Sequence, residues 1–282
     1  MTLLALSAAM PTAVIAARKA GELMRRNFPR PKKINEEIQH DIKLELDVVC
    51  QKLIERTLLR AFPATAVLGE EGTVGDLGAE YRWVVDPIDG TVNFAYGIPH
   101  ACVSIALQRR IAIKAAVAID PTGADFETVL GVVYDPFCDE LWTATKAGPA
   151  RLNGRRIAVS QRTKLREAIV AIGFAKYQWS MNTTLPVFDA LIHRVRKVRI
   201  MGSAALALTY VASGRMDAYL EGGIRLWDIA AGGLILERAG GEFWHRPLVG
   251  REFSYKLNAN NGRMRKAIER LARRSPKPAR RR

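Results

Sequence analysis

Apolar residues recur along the chain at two spacings, one typical of helices and one typical of short strands. Residues 11–28 place Ala13, Ala16, Ala20 and Leu23 on one helical face. The patterns predict helices at residues 11–28, 48–61, 185–195, 203–213 and 228–239, and strands near Val67, Trp83, Val103, Ile113, Val132, Leu141, Ile169, Val198, Tyr219 and Phe243. This alternation indicates an α/β protein.

The predicted elements divide into two halves and a tail. Residues 1–150 form an N-terminal α+β half, and residues 151–270 form a C-terminal α/β half without an apparent internal repeat. A chain of 282 residues that is 49% hydrophobic is long enough to bury a large core. Residues 271–282 are basic, lack acids and contain two prolines, so we expect a disordered tail.

Two aspartates three residues apart follow the apolar strand near Trp83. Asp86 stands where the strand ends, Pro87 removes a backbone donor, and Ile88 offers only its carbonyl oxygen before Asp89. Magnesium prefers carboxylate and carbonyl oxygens, so this run predicts half of a magnesium site. An ordinary surface turn is the alternative, because Asp, Pro and Gly are the usual turn residues.

The next two residues are suited to binding a phosphate. Gly90 allows the backbone to approach a ligand closely. If Thr91 begins a helix, its hydroxyl and the first N–H groups of that helix point at an anion. The segment therefore predicts a metal site that handles phosphate.

Two further acidic clusters support this interpretation. Glu70 and Glu71 follow a short apolar strand, where paired like charges are useful beside a cation. Asp228 lies at the start of an apolar helix, where a helix N-cap is the alternative role.

Together these segments resemble the signatures of the inositol monophosphatase family. The matching runs are Gly-Glu-Glu at 69–71, Asp-Pro-Ile-Asp-Gly-Thr at 86–91 and Trp-Asp-Ile-Ala-Ala-Gly at 227–232, with further likeness at 97–99, 103–107, 131–136, 152–154, 202–206, 217–221 and 259–260. The likeness covers about residues 13–267. It implies an αβαβα sandwich, two Mg²⁺ ions between the halves, lithium sensitivity and a homodimer.

The resemblance also assigns roles to residues of this chain. Glu70, Asp86 and the Ile88 carbonyl would hold the first ion, and Asp86, Asp89 and Asp228 the second. Asp47, Glu70 and Thr91 would be catalytic, with Asp47 and Thr91 orienting the attacking water. The substrate would contact Glu70, Ile88, Asp89, Gly90, Thr91, Gly202, Ser203, Ala204, Glu221 and Asp228.

Two of these assignments have structural alternatives. Asp47 precedes the helix predicted at residues 48–61, so a helix N-cap is its other possible role. Glu221 could be a surface charge at a strand end, whereas the resemblance places it against the sugar-like alcohol.

The chain departs from the family pattern at three places. Leu44 stands where a threonine is common, and Val92 stands where a second threonine is usual. The chain between Leu107 and Leu130 is several residues longer than the pattern, with residues 120–125 as the expected extra turn. Neither substitution falls on an expected metal ligand, so we expect activity to be retained.

The implied reaction is hydrolysis of a phosphate monoester of a small polyol, with myo-inositol 1-phosphate as the first candidate. Relatives of this fold act on histidinol phosphate, fructose 1,6-bisphosphate or 3′-phosphoadenosine 5′-phosphate, and these substrates remain alternatives. Two metal ions can activate water directly, so no phosphoenzyme is required. An aspartyl phosphate is the mechanistic alternative.

The positive net charge of the chain is compatible with a further function, the binding of nucleic acid. The formal net charge is +15, and six of the positive charges lie in residues 273–282. A basic surface attracts nucleic acid as well as anionic substrates. No aromatic-rich motif accompanies it, so a protein that binds RNA or a transcription complex is the second alternative.

Cysteine usage and hydropathy indicate the compartment. Cys50, Cys102 and Cys138 are odd in number and scattered, which favours a reducing compartment, and we expect a cytoplasmic enzyme. Residues 1–17 are apolar but lack the basic start of a signal peptide, so we assign them to the fold. We expect no membrane-spanning segment.

Overall fold

The computed structural model describes residues 3–38, 41–111, 126–175 and 177–274. The α-helices of these residues are α1 (Leu3–Asn27), α2 (Glu45–Ala61), α3 (Thr91–Ala95), α4 (Gln178–Ile192), α5 (Ala204–Ala212), α6 (Leu226–Arg238) and α7 (Arg265–Arg274). None of the described helices has the length and apolar character that crossing a membrane requires.

The strands build a small ribbon and two sheets. They are β1 (Ile34–Ile38), β2 (Asp41–Leu44), β3 (Ala66–Gly69), β4 (Gly72–Val74), β5 (Tyr81–Asp89), β6 (Cys102–Arg110), β7 (Phe126–Asp135), β8 (Glu140–Thr145), β9 (Arg151–Leu152), β10 (Arg155–Arg156), β11 (Ile169–Ile172), β12 (Lys197–Arg199), β13 (Ala218–Arg225), β14 (Glu242–Pro247) and β15 (Ser254–Asn260). Strands β1 and β2 pair with each other. The eight-stranded sheet has the order β10-β9-β8-β7-β6-β5-β3-β4, and the five-stranded sheet the order β12-β11-β13-β15-β14.

The helices and sheets stack as an αβαβα sandwich, as the resemblance implied. Helices α1 and α2 cover one face of the eight-stranded sheet, and α6 packs between that sheet and the five-stranded sheet with α5 beside it. Helices α4 and α7 cover the outer face of the five-stranded sheet. Apolar faces of helices and sheets are thereby buried in successive layers.

Helix α1 begins earlier than the sequence pattern predicted. It starts at Leu3, so Pro11 lies inside the helix and not at its first turn. The buried stripe that contains Ala13, Ala16 and Ala20 continues backward to Ala9, four residues before Ala13. This packing extends the helix past the proline, which alone would mark a helix start.

The boundaries of the predicted halves also shift. Strands β9 and β10 extend the eight-stranded sheet to Arg156, beyond the expected boundary at residue 150. Helix α7 extends to Arg274, so residues 271–274 are helical although we assigned them to the disordered tail. Leu271 packs against the cluster around Ile268, which accounts for this extension.

Strand β15 has no counterpart among the predicted strands. Its sequence Ser-Tyr-Lys-Leu-Asn-Ala-Asn alternates polar and apolar residues, but its burial does not alternate, because Asn258 and Asn260 are buried as well as Leu257. The Nδ2 of Asn260 donates to Oδ1 of Asn258 at 3.3 Å, so these amides satisfy part of their polarity inside the sheet. The strand expected near Ile113 and the extra turn at residues 120–125 lie outside the described residues.

Candidate active site

The first acidic run ends β5 in an irregular turn. The pairing of β5 with β6 is regular up to Asp86 and Ser104, shifts register, and resumes at Asp89 and Cys102. Asp86 is 1% exposed, so its carboxylate is almost fully removed from water. The register shift brings two aspartates to the same end of the strand, where a regular strand would place residues three apart on opposite faces.

Gly90 connects this turn to the short helix α3. It has φ +98°, and a Cβ at this position would lie 2.9 Å from the carbonyl oxygen of His100. Only glycine combines this conformation with this close approach. Thr91 is the first residue of α3, so the helix start that the sequence suggested is present.

Asp89 joins the eight-stranded sheet to the N-terminus of α5. Its Oδ2 accepts hydrogen bonds from the Ser203 hydroxyl at 2.6 Å and the Ala205 N–H at 2.7 Å. Its Oδ1 accepts from the Ala204 N–H at 3.2 Å. The carboxylate therefore occupies the positive end of a helix dipole.

Asp47 and Asp228 occupy equivalent helical positions. Each is the third residue of its helix, and its carboxylate accepts a hydrogen bond from the backbone N–H three residues earlier, at Leu44 (2.7 Å) and Arg225 (2.9 Å). Helices α2 and α6 thus begin before these acids, so neither is the N-cap that we considered. Each carboxylate instead caps its helix from the third helical position, by accepting the N–H of the residue that precedes the helix.

Thr91 lies between the turn and Asp47. Its Oγ1 donates to the Ile88 carbonyl at 2.8 Å, and Oδ1 of Asp47 is 3.5 Å from the same hydroxyl oxygen. Because a hydroxyl has one hydrogen and two lone pairs, the bond to Ile88 leaves the oxygen able to accept a hydrogen bond. Asp47 and Thr91 therefore lie close enough to share one water molecule.

The pKa values of the acids reflect their burial and mutual repulsion. Removal from water raises the pKa of Asp86 well above its usual range, and the charges of Glu70, Asp89 and Asp228 raise it further. Removal from water and the charge of Asp89 likewise raise the pKa of Asp228. Removal from water also raises the pKa of Asp89, but the bonds from α5 oppose this rise.

These residues line a pocket of about 530 Å³ between the two sheets. All the expected substrate contacts lie on its wall, namely Glu70, Ile88, Asp89, Gly90, Thr91, Gly202, Ser203, Ala204, Glu221 and Asp228, together with the metal-ligand candidate Asp86. Asp47 is not among the described lining residues and reaches the site through Thr91.

Glu221 lines the same pocket and accepts a hydrogen bond from a residue of its own strand. The Tyr219 hydroxyl donates a hydrogen bond to Oε2 of Glu221. A Cβ at Gly173 would lie 1.7 Å from the same oxygen, so the absence of a side chain there makes room for the carboxylate. Removal from water raises the pKa of Glu221 to about 7.

The pocket also contains residues that the sequence did not suggest. Lys43 of β2, Arg225 of β13 and Tyr177 all line it. Asn93 also lines it, and its Nδ2 donates to the carbonyl oxygens of His100 and Met201, which connects three segments of the chain. These four residues belong to no local sequence motif, so only the tertiary fold identifies them as part of the pocket.

The chemistry of the donor set fits a hard divalent cation. Asp86, Asp89 and Asp228 bring carboxylates into one buried region, and none of the three has an ion pair among the described residues. Nevertheless, no three Asp, Glu, His or Cys side chains of the described residues already surround one point as metal ligands do. Asp89 and Asp228 instead accept hydrogen bonds from backbone N–H groups.

A layered α/β sandwich with an acidic pocket between its sheets, bordered by the Gly90 turn and a helix N-terminus, defines a phosphoric monoester hydrolase of the sugar phosphatase type. Comparison with known proteins agrees with this class. The model of the inositol monophosphatase family matches residues 6–258. The chain therefore belongs to the inositol monophosphatase family.

Individual relatives have two kinds of name. Nus factor SuhB of Xylella fastidiosa is 39% identical over 233 residues, which are 81% of this chain and 78% of that protein. Inositol monophosphatase 1 of Solanum lycopersicum is 36% identical over 266 residues, 91% of each protein. The names of the relatives therefore fall into two groups, Nus factor and inositol monophosphatase.

Solved structures agree with the fold. Extragenic suppressor protein SuhB from Bartonella henselae superposes with a TM-score of 0.83 at 32% identity, covering 95% of this chain and 99% of that one. Inositol monophosphatase from Anabaena superposes with a TM-score of 0.78 at 30% identity, covering 97% and 98%. Members of the family are generally Mg²⁺-dependent and act on small phosphate esters.

Proposed function

We propose that this protein hydrolyses the phosphate monoester of a small polyol in the presence of Mg²⁺, with myo-inositol 1-phosphate as the substrate. The observation that carries the proposal is the position of Glu221, which lines the same pocket as Glu70, Asp86, Asp89 and Asp228. A carboxylate at this position accepts hydrogen bonds from ring hydroxyls. Three tomato relatives named as inositol monophosphatases support the choice.

The metal ligands in this proposal are the oxygens predicted from the sequence. Glu70, Asp86 and the Ile88 carbonyl would hold one ion, and Asp86, Asp89 and Asp228 would hold the other. Bound Mg²⁺ supplies charge neutralisation for the phosphate and lowers the pKa of water. The mutual repulsion that raises the pKa of Asp86 and Asp228 would be offset by a cation held between them.

The remaining steps belong to the chain's own residues. Backbone N–H groups at the start of α3 bind the phosphate oxygens beside Gly90. The Thr91 oxygen accepts one hydrogen of the attacking water, while Oδ1 of Asp47 accepts the other and takes the proton as the bond to phosphorus forms. Glu221 orients the alcohol, which leaves with its electron pair and a proton from solvent.

The test is phosphate release from a panel of phosphomonoesters. We expect release from myo-inositol 1-phosphate with Mg²⁺ and none with excess chelator. Histidinol phosphate, fructose 1,6-bisphosphate and 3′-phosphoadenosine 5′-phosphate should be poorer substrates by kcat/KM. Equal release with and without chelator would contradict the metal mechanism, and a higher kcat/KM for one of the other three would replace the substrate.

The proposal includes a homodimer in the cytoplasm as the working assembly. The family resemblance supports the dimer, and the scattered, unpaired cysteines support the reducing compartment. Light scattering coupled to gel filtration would measure the mass. A monomer at micromolar concentration would contradict the assembly.

A second candidate function is binding to RNA or to a transcription complex, with residual phosphatase activity. Five relatives named Nus factor SuhB support it, as does the formal net charge of +15. Titration of a fluorescent single-stranded RNA at several salt concentrations would test the RNA part. Binding that weakens steeply with salt and persists in Asp89→Asn is expected, whereas no binding at low salt would exclude it.

A further inference from the structure

The metal-ligand candidate Glu70 lies in a tight hairpin turn between β3 and β4. Gly69 and Gly72 face each other across the two strands, so Glu70 and Glu71 form the turn. The Glu70 N–H donates to the carbonyl oxygen of Val85 at 3.1 Å, which attaches one end of the turn to β5. A metal ligand needs a fixed orientation, so the contacts that hold the other end of this turn bear on the site.

A glutamine side chain from α2 holds that other end. Oε1 of Gln51 accepts a hydrogen bond from the Glu71 N–H at 2.8 Å. Its Nε2 donates to the carbonyl oxygen of Gly72 at 3.1 Å and to Oε1 of Glu55 at 2.8 Å. Gln51 is 3% exposed, so water has little access to its amide and cannot easily replace these partners.

The three hydrogen bonds fix the amide of Gln51 in one orientation. A glutamine amide has two N–H donors and one acceptor oxygen, and all of them are used here. Turning the amide over would direct its NH₂ group at the Glu71 N–H and its oxygen at the Gly72 carbonyl, so both contacts would become repulsive. The hairpin turn therefore has one arrangement relative to α2.

Gly69 makes room for this side chain. A Cβ at Gly69 would lie 2.3 Å from Oε1 of Gln51 and 2.6 Å from its Nε2. Atoms that are not bonded to each other do not approach so closely. A side chain at position 69 would therefore push the amide away from the turn.

The same face of α2 also carries Asp47. Gln51 follows Asp47 by four residues and both are buried, so their side chains lie one turn apart on one helical face. Asp47 approaches Thr91, whereas Gln51 bonds to the turn that contains Glu70. One rigid helix thus contacts both the residue that orients the attacking water and the hairpin turn.

We propose that Gln51 is a positioning residue for Glu70, which it keeps in the active-site pocket through the backbone of the hairpin turn. The inference rests on the proposed function and adds a residue of α2 to those that determine the affinity for Mg²⁺. Loss of such a supporting residue typically costs about 10- to 100-fold in metal affinity or activity. Glu70 would lose its orientation but keep its charge, so a higher Mg²⁺ concentration should compensate for the loss.

Two substitutions remove the support by different means. Gln51→Met keeps a flexible side chain of similar length but makes no hydrogen bond to the turn. Gly69→Ala keeps the glutamine and displaces its amide with a Cβ. Both should weaken metal binding, although only one of them changes residue 51.

The same helix offers two control variants. Glu55→Ala removes one partner of Gln51 but leaves both bonds to the turn in place. Ile54→Val removes a methyl group from a fully buried side chain, so it should lower the free energy of unfolding without removing a hydrogen bond from the turn. The first variant controls for the contact with Glu55, and the second controls for stability.

The experiment measures metal binding without substrate. Calorimetric titration with magnesium chloride gives the Kd for Mg²⁺, and urea denaturation in excess chelator gives the stability of each protein. We expect Gln51→Met and Gly69→Ala to weaken the binding of at least one ion by about tenfold or more. Glu55→Ala and Ile54→Val should change the Kd by less than about threefold.

Phosphate release at increasing Mg²⁺ concentrations is the second readout. In Gln51→Met the concentration that gives half the maximal rate should rise about as much as the Kd, while kcat at saturating Mg²⁺ stays within about threefold of the wild type. A kcat that saturating Mg²⁺ does not restore would assign Gln51 to the fold.

The controls separate this inference from the proposed function. If Gln51→Met bound Mg²⁺ as tightly as Glu55→Ala, or if Ile54→Val lost as much affinity as Gln51→Met, the positioning role would be wrong while wild-type turnover with Mg²⁺ would leave the proposed function intact. A wild type that binds no Mg²⁺ would overturn both.

Discussion

The Ser203 hydroxyl donates a hydrogen bond of 2.6 Å to Oδ2 of Asp89, and this bond connects the eight-stranded sheet to the N-terminus of α5 at the active site. Asp89 ends β5 in the eight-stranded sheet, whereas Ser203 is the N-cap of α5 and also accepts from the Leu206 N–H at 3.3 Å. The same carboxylate accepts from two further N–H groups of α5. A metal-ligand candidate thus also holds the two halves together.

Replacing Asp89 with Asn should therefore affect activity and stability together. The variant loses the charge needed for the second ion, and we expect kcat to fall by about a hundredfold or more. The amide has one acceptor oxygen for three donors, so we expect a loss of about 1 to 2 kcal/mol in the free energy of unfolding. Phosphate release and urea denaturation measure the two effects.

Ser203→Ala is the control for this dual role. It removes one donor to Asp89 but keeps the carboxylate, so stability should fall while kcat changes much less than in Asp89→Asn. Near-normal turnover in folded Asp89→Asn would exclude Asp89 as a metal ligand.

Thr91→Ala should slow the reaction without unfolding the protein. The variant loses the oxygen that accepts a hydrogen bond from the attacking water and the bond to the Ile88 carbonyl. We expect kcat to fall by about ten- to a hundredfold, since Asp47 retains its own place on α2. Thr91→Ser keeps the hydroxyl and should recover most of the rate. If serine failed to restore it, the methyl group and not the hydroxyl would be the important part.

The sequence indicated which residues line the pocket but not the environment of each acid. The run from Asp86 to Thr91 predicted a turn and a helix start, because Pro, Gly and the charge pattern act locally. The bonds between Asp89 and Ser203 join residues 114 positions apart, and no local pattern encodes such a contact. The same holds for Arg225, which enters the pocket only through pairing of β13 with β15.

Helix starts were misplaced for a related reason. Asp47 and Asp228 are favourable N-caps by residue type, but their helices begin two residues earlier and use the acids at the third position. The residues that precede each helix, Leu44 and Arg225, have side chains without a short capping oxygen. Because aspartate is a preferred N-cap, the sequence predicted that each helix begins at the aspartate and not two residues earlier.

Glu221→Gln should reduce selectivity for polyols and spare simple esters. The amide keeps the shape of the side chain but weakens charge-assisted bonds to ring hydroxyls by about 1 to 2 kcal/mol, or five- to thirtyfold in kcat/KM. The loss should fall on myo-inositol 1-phosphate and not on an aryl phosphate, which has no hydroxyls to offer.

Tyr219→Phe tests how Glu221 is positioned. It removes the hydroxyl that donates to Oε2 but leaves the carboxylate in place, so KM for myo-inositol 1-phosphate should rise more than kcat falls. Equal losses on the inositol and aryl substrates in Glu221→Gln would assign Glu221 to the metal site or to the fold.

The raised pKa of Glu221 also predicts how stability depends on pH. Removal from water and the charge of Asp89 raise this pKa from 4.5 in the unfolded chain to about 7 in the folded protein, although the Tyr219 hydroxyl opposes the rise. Between these values the folded protein keeps a proton that the unfolded chain has released. Unfolding then releases protons, so the free energy of unfolding contributed by Glu221 falls as pH rises from about 4.5 to about 7 and is level outside that window.

Glu221→Gln isolates this contribution because glutamine does not titrate. Urea denaturation of both proteins with excess chelator, at about pH 5 and about pH 8, gives the difference in unfolding free energy at each pH. We expect the wild type to lose on the order of 2 kcal/mol relative to the variant between the two conditions. The buried aspartates are present in both proteins, so their own titration largely cancels in this comparison. If the difference in unfolding free energy between the two proteins stayed constant with pH, the pKa of Glu221 would be the same in the folded and unfolded states. If the wild type gained stability relative to the variant as pH rises, the pKa of Glu221 in the folded protein would lie below 4.5.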